Sequence, residues 1–275
     1  LVTGALLVAA GRLIGRAWRW VHDRINRFVP RRVSYVVSTI VVAVCLVMIA
    51  NKVFARLALN AADAIFLKLD TAIDEGTEPP RDHRAAGSPE SLIDWKTMGR
   101  QGRHFVADGP TQDDIREFWG EEAQRPLRVY VGMASRETMQ ERADLALKEL
   151  QRIGGFDRSV LIVATPTGTG WLDPGAVDTV EYLHRGDTAI VSMQYSYLPS
   201  WMTILVDPAR AVESARVLFD VIYSHWTTLP PDSRPRLYLH GLSLGALGSE
   251  SSADLFMVFE DPIQGGLWSG PPFPS

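Results

Sequence analysis

Pro235-Arg236-Leu237-Tyr238-Leu239-His240-Gly241-Leu242-Ser243-Leu244-Gly245-Ala246-Leu247-Gly248-Ser249-Glu250 is the stretch on which the reading of the chain turns. A short apolar run leads into Gly241-Leu242-Ser243-Leu244-Gly245, and helix-compatible residues follow. Gly-x-Ser-x-Gly gains meaning in this context, a buried strand feeding a sharp turn into a helix. The serine then sits at the tip of a strained turn. Side chains two residues before and after it would collide, so Gly241 and Gly245 fill both places. The Ser243 hydroxyl projects clear of the sheet as a candidate nucleophile. The backbone N–H of Leu244 lies at a helix N-terminus, where an oxyanion can be stabilised.

Outward from the turn, strands and helices alternate. Residues 127–133 read as a strand, and 137–153 as a helix with Met139, Ala143, Leu147 and Leu150 on one face. Residues 159–165 form a second strand, almost wholly apolar, as expected of one covered on both faces. A helix over 173–184, a strand over 188–194, a helix over 208–226 and a strand over 236–240 follow. A helix over 244–259 and a last strand over 266–269 complete the pattern. This rhythm specifies a mainly parallel sheet with helices on both faces. The site of such a sheet lies at the carboxyl ends of its strands, where Ser243 falls.

The amino-terminal part has a different character. Residues 1–10 are apolar but too short to span a bilayer. Residues 11–32 carry seven arginines against Asp23, with Trp18, Trp20 and Phe28 between them, which suits a loop or amphipathic segment at an anionic membrane surface. Residues 33–50 are apolar and uncharged, long enough for a transmembrane helix. The arginines place their side in the cytoplasm and the rest of the chain outside. Residues 51–69 are amphipathic. Residues 70–109, rich in Pro, Gly, Arg and Asp, read as an extended linker. We therefore divide the chain into a membrane helical region (1–69), a linker and pre-domain segment (70–125) and an α/β domain (126–275).

With 275 residues the chain has room for one large domain or two small ones. Its net charge of −4 gives no reason to expect a nucleic-acid partner. The single cysteine, Cys45, excludes an internal disulfide and a cysteine-built metal site. No cofactor or metal is implied. The chain opens on Leu1 and closes on Gly-Pro-Pro-Phe-Pro-Ser, and we expect it to be a piece of a longer protein.

A serine nucleophile needs a base and a group that orients it, in the order nucleophile, acid, histidine for this kind of elbow. All six histidines (His22, His83, His104, His184, His225 and His240) precede Ser243. Asp261 is a weak candidate acid. His240 is better placed to shape the pocket than to act as base. The acid and histidine are therefore expected beyond residue 275, leaving residues 1–275 inactive by themselves. The loop Thr165-Pro166-Thr167-Gly168-Thr169-Gly170-Trp171 can donate a second oxyanion N–H from Thr167 or Gly168, or be a plain tight turn. A phosphate cradle is the rival, but no Lys-Ser/Thr follows the glycines. Tyr195, Tyr197 and Trp201, in Gln194-Tyr195-Ser196-Tyr197-Leu198-Pro199-Ser200-Trp201, either line an acyl pocket or pack.

These two loops, the elbow with Gly248-Ser249-Glu250, Gly270-Pro271-Pro272-Phe273 and the stretch from Lys96 to Val106 together resemble the bacterial membrane-anchored α/β-hydrolase family. Its members join amino-terminal membrane helices to a carboxyl-terminal hydrolase domain. The resemblance implies an N-terminal transmembrane segment followed by an incomplete α/β-hydrolase fold, with Ser243 as nucleophile. Leu242 stands where the family commonly has Glu, and the family's later Asp and His have no counterpart here. The expected function is a membrane-anchored esterase or lipase acting on an acyl ester or lipid outside the cytoplasmic membrane. The alternatives are an acyltransferase with the same nucleophile and a non-catalytic binding module. The bilayer is the expected partner, and the oligomeric state is open.

Overall fold

The structure, a computed structural model, describes residues 2–207, 209–252 and 261–272. The chain divides into two compact units, residues 1–64 and 65–275.

In the first unit, α1 (Val2–Ile25) and the start of α2 (Arg31–Thr71) meet across a turn at residues 26–30. The arginine-rich stretch is helical rather than a loop. Arginine and leucine are good helix formers, and α1 runs to Ile25 before the turn that leads into Pro30. Trp18 stacks on His22 with ring centroids 4.9 Å apart and donates its Nε1–H to Thr39 Oγ1 at 3.1 Å. The Ser34 hydroxyl meets His22 Nδ1 at 3.0 Å. The expected span and the amphipathic stretch after it form one continuous helix of 41 residues, about 60 Å long. Its segment Arg31–Met48 has a mean hydropathy of 1.7 and is long and apolar enough to cross a bilayer; 11% of it is buried.

The second unit is built on a five-stranded, wholly parallel sheet. Its strands are β1 (Leu127–Val131), β2 (Val160–Thr165), β3 (Thr188–Met193), β4 (Arg236–Leu242) and β5 (Gly265–Ser269), in spatial order β1-β3-β2-β4-β5. Every residue of β1, β2 and β3 is buried, the signature of strands covered on both faces. The connections β1→β2 through α5 (Met139–Arg152) and β3→β4 through α8 (Ala209–Thr228) each step over one strand. The connection β2→β3 through α6 (Pro174–Leu183) steps back. Right-handed crossovers therefore put α5 and α8 on one face and α6 on the other. In agreement, α5 packs on α8, and α6 meets the side chain of Arg128 from the opposite face.

Local sequence explains where the helices begin. Thr138 with Glu141 forms a capping box on α5, and Asp173 caps α6 with Pro174 at its first position. α4 (Gln112–Trp119) opens with the same kind of box, Thr111 with Asp114, and closes on Gly120 at φ 66°.

Residues 70–109 are not the extended linker expected from composition. Ile93, Trp95, Met98 and Phe105 belong to the main core, and α3 (Gly99–Ala107) packs on β1. Their spacing matches neither a helix nor a strand, so the burial they bring is not periodic. Arg128 locks this layer down. Its guanidinium binds Glu181 at 2.8 and 2.5 Å, Asp178 at 2.5 Å and the Phe105 carbonyl at 2.5 Å.

β4 runs two residues further than expected, because Gly241 pairs with Thr165 on one side and Leu242 with Ser269 on the other. The helix after the elbow, α9 (Leu244–Glu250), is described only to a turn at residues 251–252; the rest of its expected length, 253–259, lies outside the described residues.

Candidate active site

Strand β2 sends its helix to one face, while its neighbours β3 and β4 send theirs to the other. A crevice therefore opens at the carboxyl ends of these strands. Three loops meet there: 166–173 after β2, 194–199 after β3, and the turn at Ser243 after β4.

Ser243 has φ 56° and ψ −126°, a conformation that costs a non-glycine residue about 1–3 kcal/mol. Its neighbours hold it there. The Ser243 N–H donates to Ser269 O on β5 at 2.8 Å, and Ala246 N–H donates back to Ser243 O at 2.9 Å. A Cβ on Gly241 would run into the backbone of Gly245 and Ala246, and one on Gly245 into the carbonyls of Thr165 and Pro166. Both glycines are thus required by close backbone approach, with α9 drawn tightly across the end of β2. Leu244 is the first residue of α9, and its N–H is among the donors that no carbonyl of the same helix can reach.

The loop after β2 is tightly held. Thr167 N–H closes the loop on Trp171 O at 2.9 Å, and Gly168 N–H donates to the Ser200 hydroxyl at 3.1 Å. A Cβ on Gly168 would come within 2.6 Å of Leu198 O, so the loops after β2 and β3 touch backbone to backbone. Gly170 has φ 87°, and its carbonyl accepts from the buried Tyr130 hydroxyl at 2.6 Å.

The three aromatics named as pocket residues separate. Tyr195 is fully buried and packs against Leu244 and Ala211 behind the elbow. Burial pushes its phenol well above the ordinary tyrosine range. Tyr197 is half-buried, and Trp201, on α7 (Ser200–Val206), is 63% exposed.

His240 is buried beneath the elbow. Its Nδ1–H donates to Leu267 O at 3.0 Å, which leaves Nε2 as an acceptor with no partner among the described residues. Burial holds its pKa below the ordinary histidine value, against the bond to Leu267 O. It lines a cavity of about 480 Å³ with Ile162, Val177, Tyr238 and Leu267. Asp261 binds Arg234 at 2.5 Å, before the first residue of β4 and so at the opposite end of the strand from Ser243. It is not placed to orient a base. Glu250 is exposed at the end of α9, and Asp254 and Glu260 lie outside the described residues.

Gln194 brackets the crevice in a way the sequence did not signal. Its Nε2 donates to Asp70 Oδ1 at 3.0 Å, and its Oε1 accepts from Met133 N–H at 3.1 Å. Asp70, in the last turn of α2, also accepts from Arg100 N–H at 3.2 Å. Burial raises its pKa, against the bonds from Gln194 and Arg100. Gly99 is the only residue type that fits between them, since a Cβ there would lie 2.8 Å from both Asp70 and Gln194. The partners are far apart in the chain, and no local pattern links them.

Among the described residues no group of His, Cys, Asp and Glu could hold a metal ion.

Comparison with known proteins agrees with this architecture. Residues 127–275 match the model of an alpha/beta-hydrolase family, and residues 1–110 match that of an alpha/beta-hydrolase family N-terminus. Neither curated proteins nor solved structures gave a match. With both family models matched and Ser243 at the elbow of a parallel sheet, the chain belongs to the α/β-hydrolase family.

Proposed function

We propose that this protein is a membrane-anchored serine hydrolase that cleaves acyl esters through an acyl-enzyme on Ser243. The observation that carries the reading is the Ser243 backbone, held at φ 56° and ψ −126° between two glycines that tolerate no Cβ. A strained serine at the carboxyl edge of a parallel sheet is what a nucleophile elbow requires. Ser243 Oγ attacks the ester carbonyl as a base takes its proton. The carbonyl oxygen, now an oxyanion, turns to the Leu244 N–H. Collapse expels the alcohol, and water then hydrolyses the acyl-enzyme. We assign the second oxyanion donor to Gly168, because a turn of the Ser200 side chain about its Cα–Cβ bond moves the accepting oxygen away and releases the N–H, whereas Thr167 N–H closes its own loop.

The base is not His240, which faces the cavity it lines with Ile162, Val177, Tyr238 and Leu267, a cavity that Ser243 does not line. No histidine follows Ser243 in residues 1–275, so we place the base and its acid outside them and expect this stretch alone to turn over no ester. We further propose that the segment Arg31–Met48 crosses the cytoplasmic membrane, with the arginines of residues 11–32 inside and the hydrolase unit outside.

The test is hydrolysis of a p-nitrophenyl acyl series by the full-length protein in liposomes. Turnover should fall by about 10³-fold or more in Ser243→Ala. Acyl transfer to an added alcohol in place of water would make the protein an acyltransferase on the same nucleophile. Equal turnover in wild type and Ser243→Ala would contradict the assignment.

A further inference from the structure

Helix α7 (Ser200–Val206) turns apolar residues outward. Its inner side is accounted for. Met202 and Thr203 are buried, and the Thr203 hydroxyl meets Ser196 Oγ at 3.1 Å and donates to Leu198 O at 3.2 Å. Trp201, Ile204 and Leu205, spaced to share one side of the helix, are nevertheless between 40% and 71% exposed, and Val206 after them is exposed too. A surface helix ordinarily puts polar side chains there. No charge interrupts the run, since residues 195–206 hold no Asp, Glu, Lys or Arg. Large apolar residues scattered singly over a surface need no explanation, but several gathered on one short element mark a place that meets another apolar phase.

Two observations say which phase. The first is where α7 begins. Ser200 accepts from Gly168 N–H at 3.1 Å, and a Cβ on Gly168 would lie 2.7 Å from Ser200 Cα. α7 therefore starts against the loop after β2, at the rim of the crevice. The second is where α2 ends. The helix that carries the apolar segment Arg31–Met48 runs unbroken to Thr71, and its last turn is fastened at this same edge of the sheet. Asp70 accepts from Gln194 Nε2 at 3.0 Å, and Gln194 is the first residue after β3, in the loop that leads to α7. Arg103 adds a bond from Nη2 to Asp70 O at 3.2 Å. Leu69 and Ile73, on either side of Asp70 in the chain, are exposed as well. The edge that bears α7 is thus the edge to which the helix of bilayer length delivers the chain.

We propose that α7 is a membrane-docking helix, whose outer face of Trp201, Ile204 and Leu205 enters the interfacial layer of the bilayer and turns the crevice at Ser243 toward the lipid. An uncharged face with a tryptophan suits that layer, where one end of the indole is in apolar surroundings and the other is wet. A short helix suffices because the chain is already tethered, so that docking is intramolecular. The inference rests on the proposed crossing of the membrane by Arg31–Met48; it does not depend on Ser243 being the nucleophile.

The test uses the full-length protein in nanodiscs, freed of its other cysteines, Cys45→Ala included. Four single-cysteine variants, Leu205→Cys, Trp201→Cys, Val44→Cys and Lys148→Cys, are labelled with the fluorophore NBD. Emission is read with iodide in the water, and separately with a lipid that carries a nitroxide near the top of its acyl chain. The nitroxide lipid should quench the probes at 205 and 201, as it quenches the probe at 44 in the apolar segment, and iodide should leave all three unquenched. The probe at Lys148, exposed on α5, should show the reverse. The two positions on α7 are both exposed, so one that fails to fold leaves the other to decide. Lipid quenching at 44 with iodide quenching at 205 and 201 would overturn the docking and leave the membrane anchor in place. Iodide quenching at all four positions would overturn the anchor, and the docking with it. Probes at 205 and 201 closed to both quenchers would be covered by protein instead of lipid, which would also overturn the proposal.

Discussion

Ser243 owes its conformation to the two glycines beside it, and the dependence can be measured. The side chain of Gly245→Ala would press on the carbonyls of Thr165 and Pro166, which are backbone and cannot swing away. We expect a loss of about 1–3 kcal/mol in urea unfolding together with loss of reaction at Ser243. A Gly245→Ala protein as stable as wild type would mean that α9 is not drawn against β2 as described. At this scale the elbow was legible from five consecutive residues, since close backbone approach selects glycine locally. The bracket of Gln194 on Asp70 was not, because it joins residues 124 apart in sequence. Nor was the commitment of Asp261 to Arg234, which removes it as an acid.

Among the elements, the sheet holds the site and a few polar contacts hold the sheet's coverings. The Tyr130 hydroxyl on β1 supports the loop after β2 through Gly170 O. In Tyr130→Phe that carbonyl loses its donor, and we expect about 1–3 kcal/mol of destabilisation, read by urea unfolding. Arg128→Met would strand the buried Glu181 without its cation and should cost about 3–5 kcal/mol in the same measurement. The residues after α2 are tied to α3 by His104, whose Nε2 meets Asp74 at 2.6 Å and whose Nδ1 meets Asp108 at 2.7 Å. The bond to Asp74, and then that to Asp108, raise its pKa against the effect of burial. A raised histidine stabilises fully below the unfolded-state value of about 6.5, and the effect is lost as pH rises through the folded value. The melting temperature should therefore fall on going from pH 6 to pH 8, and fall less in His104→Asn. An equal fall in both would exclude the contact. The strand–helix rhythm was legible because each element carries its own periodicity and caps. Residues 70–109 were misread because Ile93, Trp95 and Met98 reach the core at irregular spacing among turn-forming residues.

For the molecule as a whole, one unit holds an apolar helix of bilayer length and the other an α/β-hydrolase sheet, and the proposed function joins them as catalysis at a membrane. The proposed orientation predicts that a cysteine introduced at exposed Lys148, in a Cys45→Ala background, reacts with a membrane-impermeant maleimide in intact cells. Reaction only after lysis would reverse the orientation. The central claim is the activated serine. Full-length protein in its membrane should be treated with a fluorophosphonate probe beside Ser243→Ala, and the modified peptide located by mass spectrometry. The account predicts a single adduct on Ser243 that is absent from the variant. A folded wild-type protein that takes up no probe, or takes it up equally in Ser243→Ala, would contradict it.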